Sequence, residues 1–300
     1  MRWLLYGLFA ALLFGLWGLF DRLSSQLNPF TSNIIMYFVA LLIVAVMLAW
    51  NKKFRFSKYS ILSGIFAGIG NFFVLYALMN NFLILVFPFV SAAGVIFFCI
   101  IYFTERPKYT AKQKIIVSIG LFLSVVGVLL VAVGQQGLFN FFKQLTISTS
   151  YIIPAIFVMA GFSLWTYFTY KSVTKENINA LTYNFWTNLA SFVLALMAVL
   201  ILNYSTFSEL KVLAPASYIY PVLAGLCISI GTLLTYSAFK TTTTKTKLQE
   251  AIVAILANGE LIPLLFLSYF VLGEWVFEGF IGAIIVFIGL FLIHYAEVSK

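Results

Sequence analysis

Apolar residues run in ten long blocks separated by short polar breaks, near residues 3–20, 31–50, 59–79, 82–103, 115–134, 151–170, 180–202, 217–239, 248–271 and 277–296. Each block is close to the ~20 residues that carry an α-helix across a hydrocarbon core. The break between the third and fourth blocks is so short that those two helices must form a tight hairpin. No break is long enough to hold a separate domain. The pattern predicts an all-α integral membrane protein with ten transmembrane helices.

The ten blocks divide into two sets of five, over residues 1–140 and 150–300, and the sets align piece by piece. Phe14-Gly15-Leu16-Trp17 matches Phe162-Ser163-Leu164-Trp165 at an offset of 148. The stretch from Asn28 to Asn33 matches that from Asn179 to Asn184 at an offset of 151. Gly64, Gly68, Gly70 and Ala77 match Gly225, Ser229, Gly231 and Ala238 at an offset of 161. Glu105 and Glu274 close the fourth and ninth blocks, and Gly120 and Gly127 match Gly282 and Gly289. Five is odd, so the second copy enters the membrane from the opposite side. The expectation is two inverted five-helix repeats, an arrangement suited to alternating access.

Composition supports the membrane reading. The chain of 300 residues is 63% hydrophobic and 9% charged, with a mean hydropathy of +1.05, too little polar surface for a water-soluble domain. The net charge of +9 invites a nucleic-acid partner, but the basic residues sit in short loops. With the N-terminus inside, fifteen Lys and Arg fall on the inner side and three (Arg22, Lys143 and Lys211) on the outer. That bias predicts a cell-membrane protein with both termini cytoplasmic, and no nucleic acid among its partners. The first block could pass for a signal-peptide core, but it lacks a small-residue cleavage signature and reads as a mature helix. Cys99 and Cys227 lie inside apolar blocks and read as packing residues.

At the level of motifs the chain resembles the EamA-type transporters of the drug/metabolite transporter superfamily. The resemblance is carried by the small-residue third span, the hairpin into a proline-bearing fourth span, its closing Glu in Tyr102-Phe103-Thr104-Glu105 and Val271-Leu272-Gly273-Glu274, and the glycine-spaced fifth span. It extends from about residue 3 to residue 296. It implies that spans 1–4 and 6–9 surround a central cavity, with spans 5 and 10 peripheral, and that the cargo is a metabolite exported from the cell. The basic stretch from Arg106 to Lys114 is longer than that pattern expects.

Glu260 is the sharpest candidate residue, because a mid-membrane carboxylate is costly unless paired, hydrated or protonated. Pro263 cannot donate to the Gly259 carbonyl, so a carboxyl group and a free acceptor lie together, with Asn258 nearby. A site for a cationic group or a coupling proton is one reading; a protonated Glu bonded to a neighbouring helix is the other. Pro88 makes the matching break in the fourth span, without a charge. Trp17 and Trp165 are repeat mates, readable as two gates or as headgroup-belt anchors. Asn71 and Thr232 follow the glycine sets and are candidates to face a cavity. Tyr76, Tyr167 and Tyr236 offer rings with one hydroxyl each; Asn33 and Asn184 read as path-lining or helix-capping. Asp21 and Arg22 read as a solvated outer helix end, and Thr241 to Lys247 as a solvated inner loop. His294 is the only histidine, so a metal cluster fails on ligand count, and no cofactor is expected.

These features predict a secondary transporter for a small organic solute, amino-acid-like and exported, coupled to a proton or driven by its own gradient. No P-loop is present. Efflux of lipophilic cations is the alternative. Phosphorylated sugars or nucleotide sugars fit less well, because they want Lys or Arg deep in the cavity. An intramembrane enzyme lacks its second acid or His, and a channel its pore ring. Partners are the bilayer and the solute, with a homodimer left open.

Overall fold

The computed structural model of the chain describes residues 2–24, 27–51, 54–79, 93, 96–97, 100, 110–133, 149–201, 215–242, 253, 256, 261–272 and 277–298. Among these there are helices and turns and no strand. The helices are α1 (Arg2–Leu23), α2 (Pro29–Asn51), α3 (Lys58–Met79), α4 (Ala111–Val133), α5 (Thr149–Lys171), α6 (Ala180–Ile201), α7 (Ile219–Thr242), α8 (Leu261–Leu272) and α9 (Phe277–Val298). Among the described residues, five stretches, Arg2–Leu23, Phe30–Trp50, Ile153–Glu176, Ala180–Ile201 and Ile219–Thr242, are long and apolar enough to cross a membrane.

Local chemistry sets several helix starts. Asn28 caps α2 by accepting from the Phe30 N–H (2.9 Å), and Asn179 caps α6 by accepting from the Thr182 N–H (2.6 Å). Thr110 and Gln113 form a reciprocal capping box before α4, each side chain accepting from the other's backbone N–H (2.9 and 3.3 Å). The caps of α2 and α6 are therefore Asn28 and Asn179; Asn33 and Asn184 lie further along and are buried. Beyond α5 the chain widens into a π-turn, Ser172–Glu176, which ends at Asn177 with φ of 46°. Asn tolerates that left-handed backbone better than most residues, and the turn brings Glu176 back to Ser57.

Packing is inverted relative to a soluble protein. Leu5, Phe9, Leu42, Val46, Phe122 and Phe291 are exposed, while Asn33, Asn71, Asn184, Asn188, Thr182 and Ser191 are buried. Apolar faces turned outward suit lipid, and buried hydroxyls and amides bridge helices that have no hydrophobic drive to associate there. The main helix pairs are α1 with α7, α3 with α5 and α6, α2 with α6 and α7, and α4 with α9. Glycines allow the closest approaches. A Cβ on Gly225 of α7 would lie 2.5 Å from the Met36 carbonyl of α2, and one on Gly64 of α3 would collide with the Thr187 carbonyl of α6. Helices α4 and α9 meet through Gly120 against Gly289 and Gly127 against Gly282.

Candidate functional site: a chamber with two unlike ends

Helices α1, α2, α3, α5, α6 and α7 line a small, partly open chamber. Four rings form its walls. Phe14 meets Trp165 edge-on with centroids 5.7 Å apart, and Trp17 meets Phe162 at 6.2 Å. The two phenylalanines can seat because Gly231 and Gly70 stand behind them: a Cβ there would lie 2.9 Å from the Phe14 ring and 3.1 Å from the Phe162 ring. Tyr37, Thr187, Asn188, Ser191 and Thr232 supply polar groups, and Ala67 and Ile228 complete the lining. No charged side chain lines the chamber among the described residues. Apolar walls with a few convergent hydroxyls and amides suit a small organic solute.

At one end every polar group is paired. Thr169 Oγ1 donates to the Trp165 carbonyl (2.7 Å) and lies 2.6 Å from the Tyr183 hydroxyl. Ser63 Oγ lies 2.9 Å from the same hydroxyl. Tyr183 stacks on Tyr236 at 4.6 Å, and the Tyr236 hydroxyl donates to the Ile178 carbonyl (2.7 Å). Ser60 and Ser172 bond at 3.1 Å, and Ser57 donates to Glu176. The network ties α3, α5, α6 and α7 together.

The opposite end is incomplete. Ser24 donates to the Asp21 carbonyl (2.8 Å), and Asn71 Nδ2 donates to Asn33 Oδ1 (2.8 Å). Trp17 Nε1, both carboxylate oxygens of Asp21, the Tyr37 hydroxyl and Asn71 Oδ1 are buried without a hydrogen-bond partner among the described residues. The Trp17 indole neighbours the Asp21 carboxylate, and no hydrogen bond joins them. The Tyr37 hydroxyl lies near Ser191, Asn71 and Asp21. Buried polar atoms are nearly always satisfied, so a cluster of orphans calls for an explanation.

Several expectations change at this point. Asp21 is not a solvated helix end: α1 continues to Leu23 and leaves the acid 2% exposed, while Arg22 is half-buried. Trp17 and Trp165, 2% and 5% exposed, are chamber walls, which removes the belt reading. Thr232 lines the chamber, and Asn71 lies behind Tyr37. Tyr76 is 40% exposed and does not line it. Tyr167 lies half-buried under the Lys171 ammonium, 5.2 Å from the ring centroid, and Tyr236 belongs to the paired end. Pro263 is half-buried in α8. Glu260, Asn258, Pro88 and Cys99 lie outside the described residues, and Cys227 is a buried free thiol. Sequence reasoning missed Tyr37, Asn188, Thr187 and Ser191. Offset matching could have found Asn188, the mate of Tyr37.

No family model matches the chain, and no curated protein matches it. A solved structure described only as "Crystal structure of protein" superposes with a TM-score of 0.70, covering 99% of this chain and 99% of its own, at 12% identity. The likeness shows a shared fold.

Proposed function

We propose that the chain is a secondary transporter working by alternating access, built as two inverted five-helix repeats with ten transmembrane spans. Its cargo in this reading is a small amino-acid-like solute, exported across the cell membrane, with both termini cytoplasmic. One observation carries the proposal: eight of the eleven residues lining the chamber fall into pairs at matched positions of the sequence repeat. Phe14 and Phe162, Trp17 and Trp165, Tyr37 and Asn188, and Ala67 and Ile228 stand at matched positions in the two halves.

The contacts are reciprocal as well. Phe14 touches Trp165 and Phe162 touches Trp17, the exchange that a two-fold relation produces. Gly64 approaches Thr187 as Gly225 approaches Met36, and those partners are mates too. Along α1 and α5 the pairing order reverses, as it does for Gly120 with Gly289 and Gly127 with Gly282. Antiparallel mates are what inversion requires. A binding site at the interface of two such repeats can be opened to either side by rocking one half against the other.

The wall chemistry supports an uncharged, zwitterionic or cationic cargo, because no Lys or Arg lines the chamber among the described residues. Efflux of lipophilic cations is a second reading, favoured by the four aromatic rings. Counterflow in proteoliposomes tests the proposal: vesicles preloaded with unlabelled amino acids should accumulate labelled solute saturably. Product formation without vectorial movement, or single-channel currents, would contradict it.

A further inference from the structure

The orphan atoms at the Asp21 end are unequal in kind. Both Asp21 oxygens and Asn71 Oδ1 can only accept, the Tyr37 hydroxyl can do either, and only Trp17 Nε1 must donate. The Asn71 amide N–H is already spent on Asn33. The site is short of donors and of one positive charge. A buried carboxylate left in that condition is strongly unfavourable unless it is neutralised.

We propose that Asp21 is the counter-ion for a primary ammonium group on the transported solute, and that a proton takes that place when the solute is absent. An ammonium offers three donors and no acceptor, the complement of the surplus found here. Asp21 follows Trp17 by one helical turn, about 6 Å along the axis. An ammonium at that end of the chamber lies against the Trp17 indole, which attracts cations over its face. The apolar remainder of the solute rests among Phe14, Phe162 and Trp165. Ammonium and proton are two ways of neutralising one charge, so each displaces the other. When the solute binds, the Asp21 O–H bond breaks, the proton leaves to solvent and N–H···O contacts form in its place. This deepens the carrier reading and rests on it: the cargo is a primary amine, and an inward proton gradient drives its export.

The groups around Asp21 fit this role. Helix α1 packs on α7 and α8. From α7, Tyr220 stacks on Phe20 at 6.5 Å, and on α8 Tyr269 is 40% exposed. Tyr37 faces it from α2. Arg22 is the next residue, and adjacent helical residues do not face each other; it makes no ion pair with Asp21, whose oxygens are unpartnered.

Equilibrium binding to purified protein, followed by calorimetry, separates this inference from transport. The probes are 2-phenylethylammonium, its neutral isostere 2-phenylethanol and the anion 3-phenylpropanoate. The cation should bind at least tenfold tighter than the alcohol. Lowering the pH should weaken cation binding only, with proton release wherever affinity varies with pH. Asp21→Asn should bind cation and alcohol alike, independently of pH. Retained preference in Asp21→Asn, or wild-type preference for the alcohol or the anion, overturns the assignment. Should the variant not fold, the pH dependence and proton release of the wild-type protein decide the matter. Amino-acid counterflow without ammonium preference sinks the role of Asp21 alone; ammonium binding without vectorial movement sinks the carrier reading.

Discussion

In the sequence, Asp21 and Thr169 align at the offset of 148 that relates Trp17 to Trp165, each four residues beyond a chamber tryptophan. Their surroundings differ sharply. Thr169 has its own-helix carbonyl and two further hydroxyls as partners, whereas Asp21 has an indole that does not reach it. The mates of Tyr183 and Ser63 are Ser32 and Ala224, too short to rebuild the network at the other end. One end of the chamber is therefore stitched by hydrogen bonds that pair its polar groups, Glu176 among them, and the other holds a buried acid without a hydrogen-bond partner. In the proposed carrier such a difference would let the two sides be told apart, because a perfectly symmetric pair of halves could bind a coupling ion equally at both.

Substitutions at the matched positions test how far this difference goes. The largest effect is expected from Thr169→Asp, which places a carboxylate among hydroxyls that already have partners. It should cost about 3–5 kcal/mol, as buried charges without a counter-charge do, measured by reversible unfolding in mixed micelles. Tyr183→Phe removes one hydroxyl shared by Ser63 and Thr169, which keep other partners, so the loss should be about 1 kcal/mol. Asp21→Asn should show the smallest change and the opposite sign, leaving stability level or raising it by up to about 1 kcal/mol, since it removes an unpaired buried acid. Destabilisation of Asp21→Asn as large as that of Thr169→Asp would mean that Asp21 is a structural member of its end after all.

Much of the helical framework was legible from hydropathy. The block predicted at 180–202 is observed as Ala180–Ile201, 59–79 as Lys58–Met79 and 277–296 as Phe277–Val298. The informative miss is the first block, ended at residue 20 because Asp21-Arg22 looks like a polar terminus. The helix runs on to Leu23, and the fold buries the acid, a tertiary effect that no window average registers. The tyrosines show the same limit. Residue type points equally to Tyr76, Tyr167 and Tyr236, but among the described tyrosines it is Tyr37 that stands on the chamber wall, because rotation about the helix axis depends on neighbours. Trp17 and Trp165 were identified through the repeat rather than through composition, and both line the chamber.

Alternating access requires a chamber that opens at one end as it closes at the other. Electron–electron distance measurements on paired spin labels report this directly. One pair, on Phe56 and Lys175, flanks the Ser57–Glu176 hydrogen bond at the stitched end, and one pair, on Tyr76 and Ile153, lies toward the other ends of the same two packed helices, α3 and α5; all four residues are exposed. Adding 2-phenylethylammonium or lowering the pH should shift the two distance distributions in opposite senses. Distributions that stay fixed, or that widen and narrow together, would contradict alternating access in this protein.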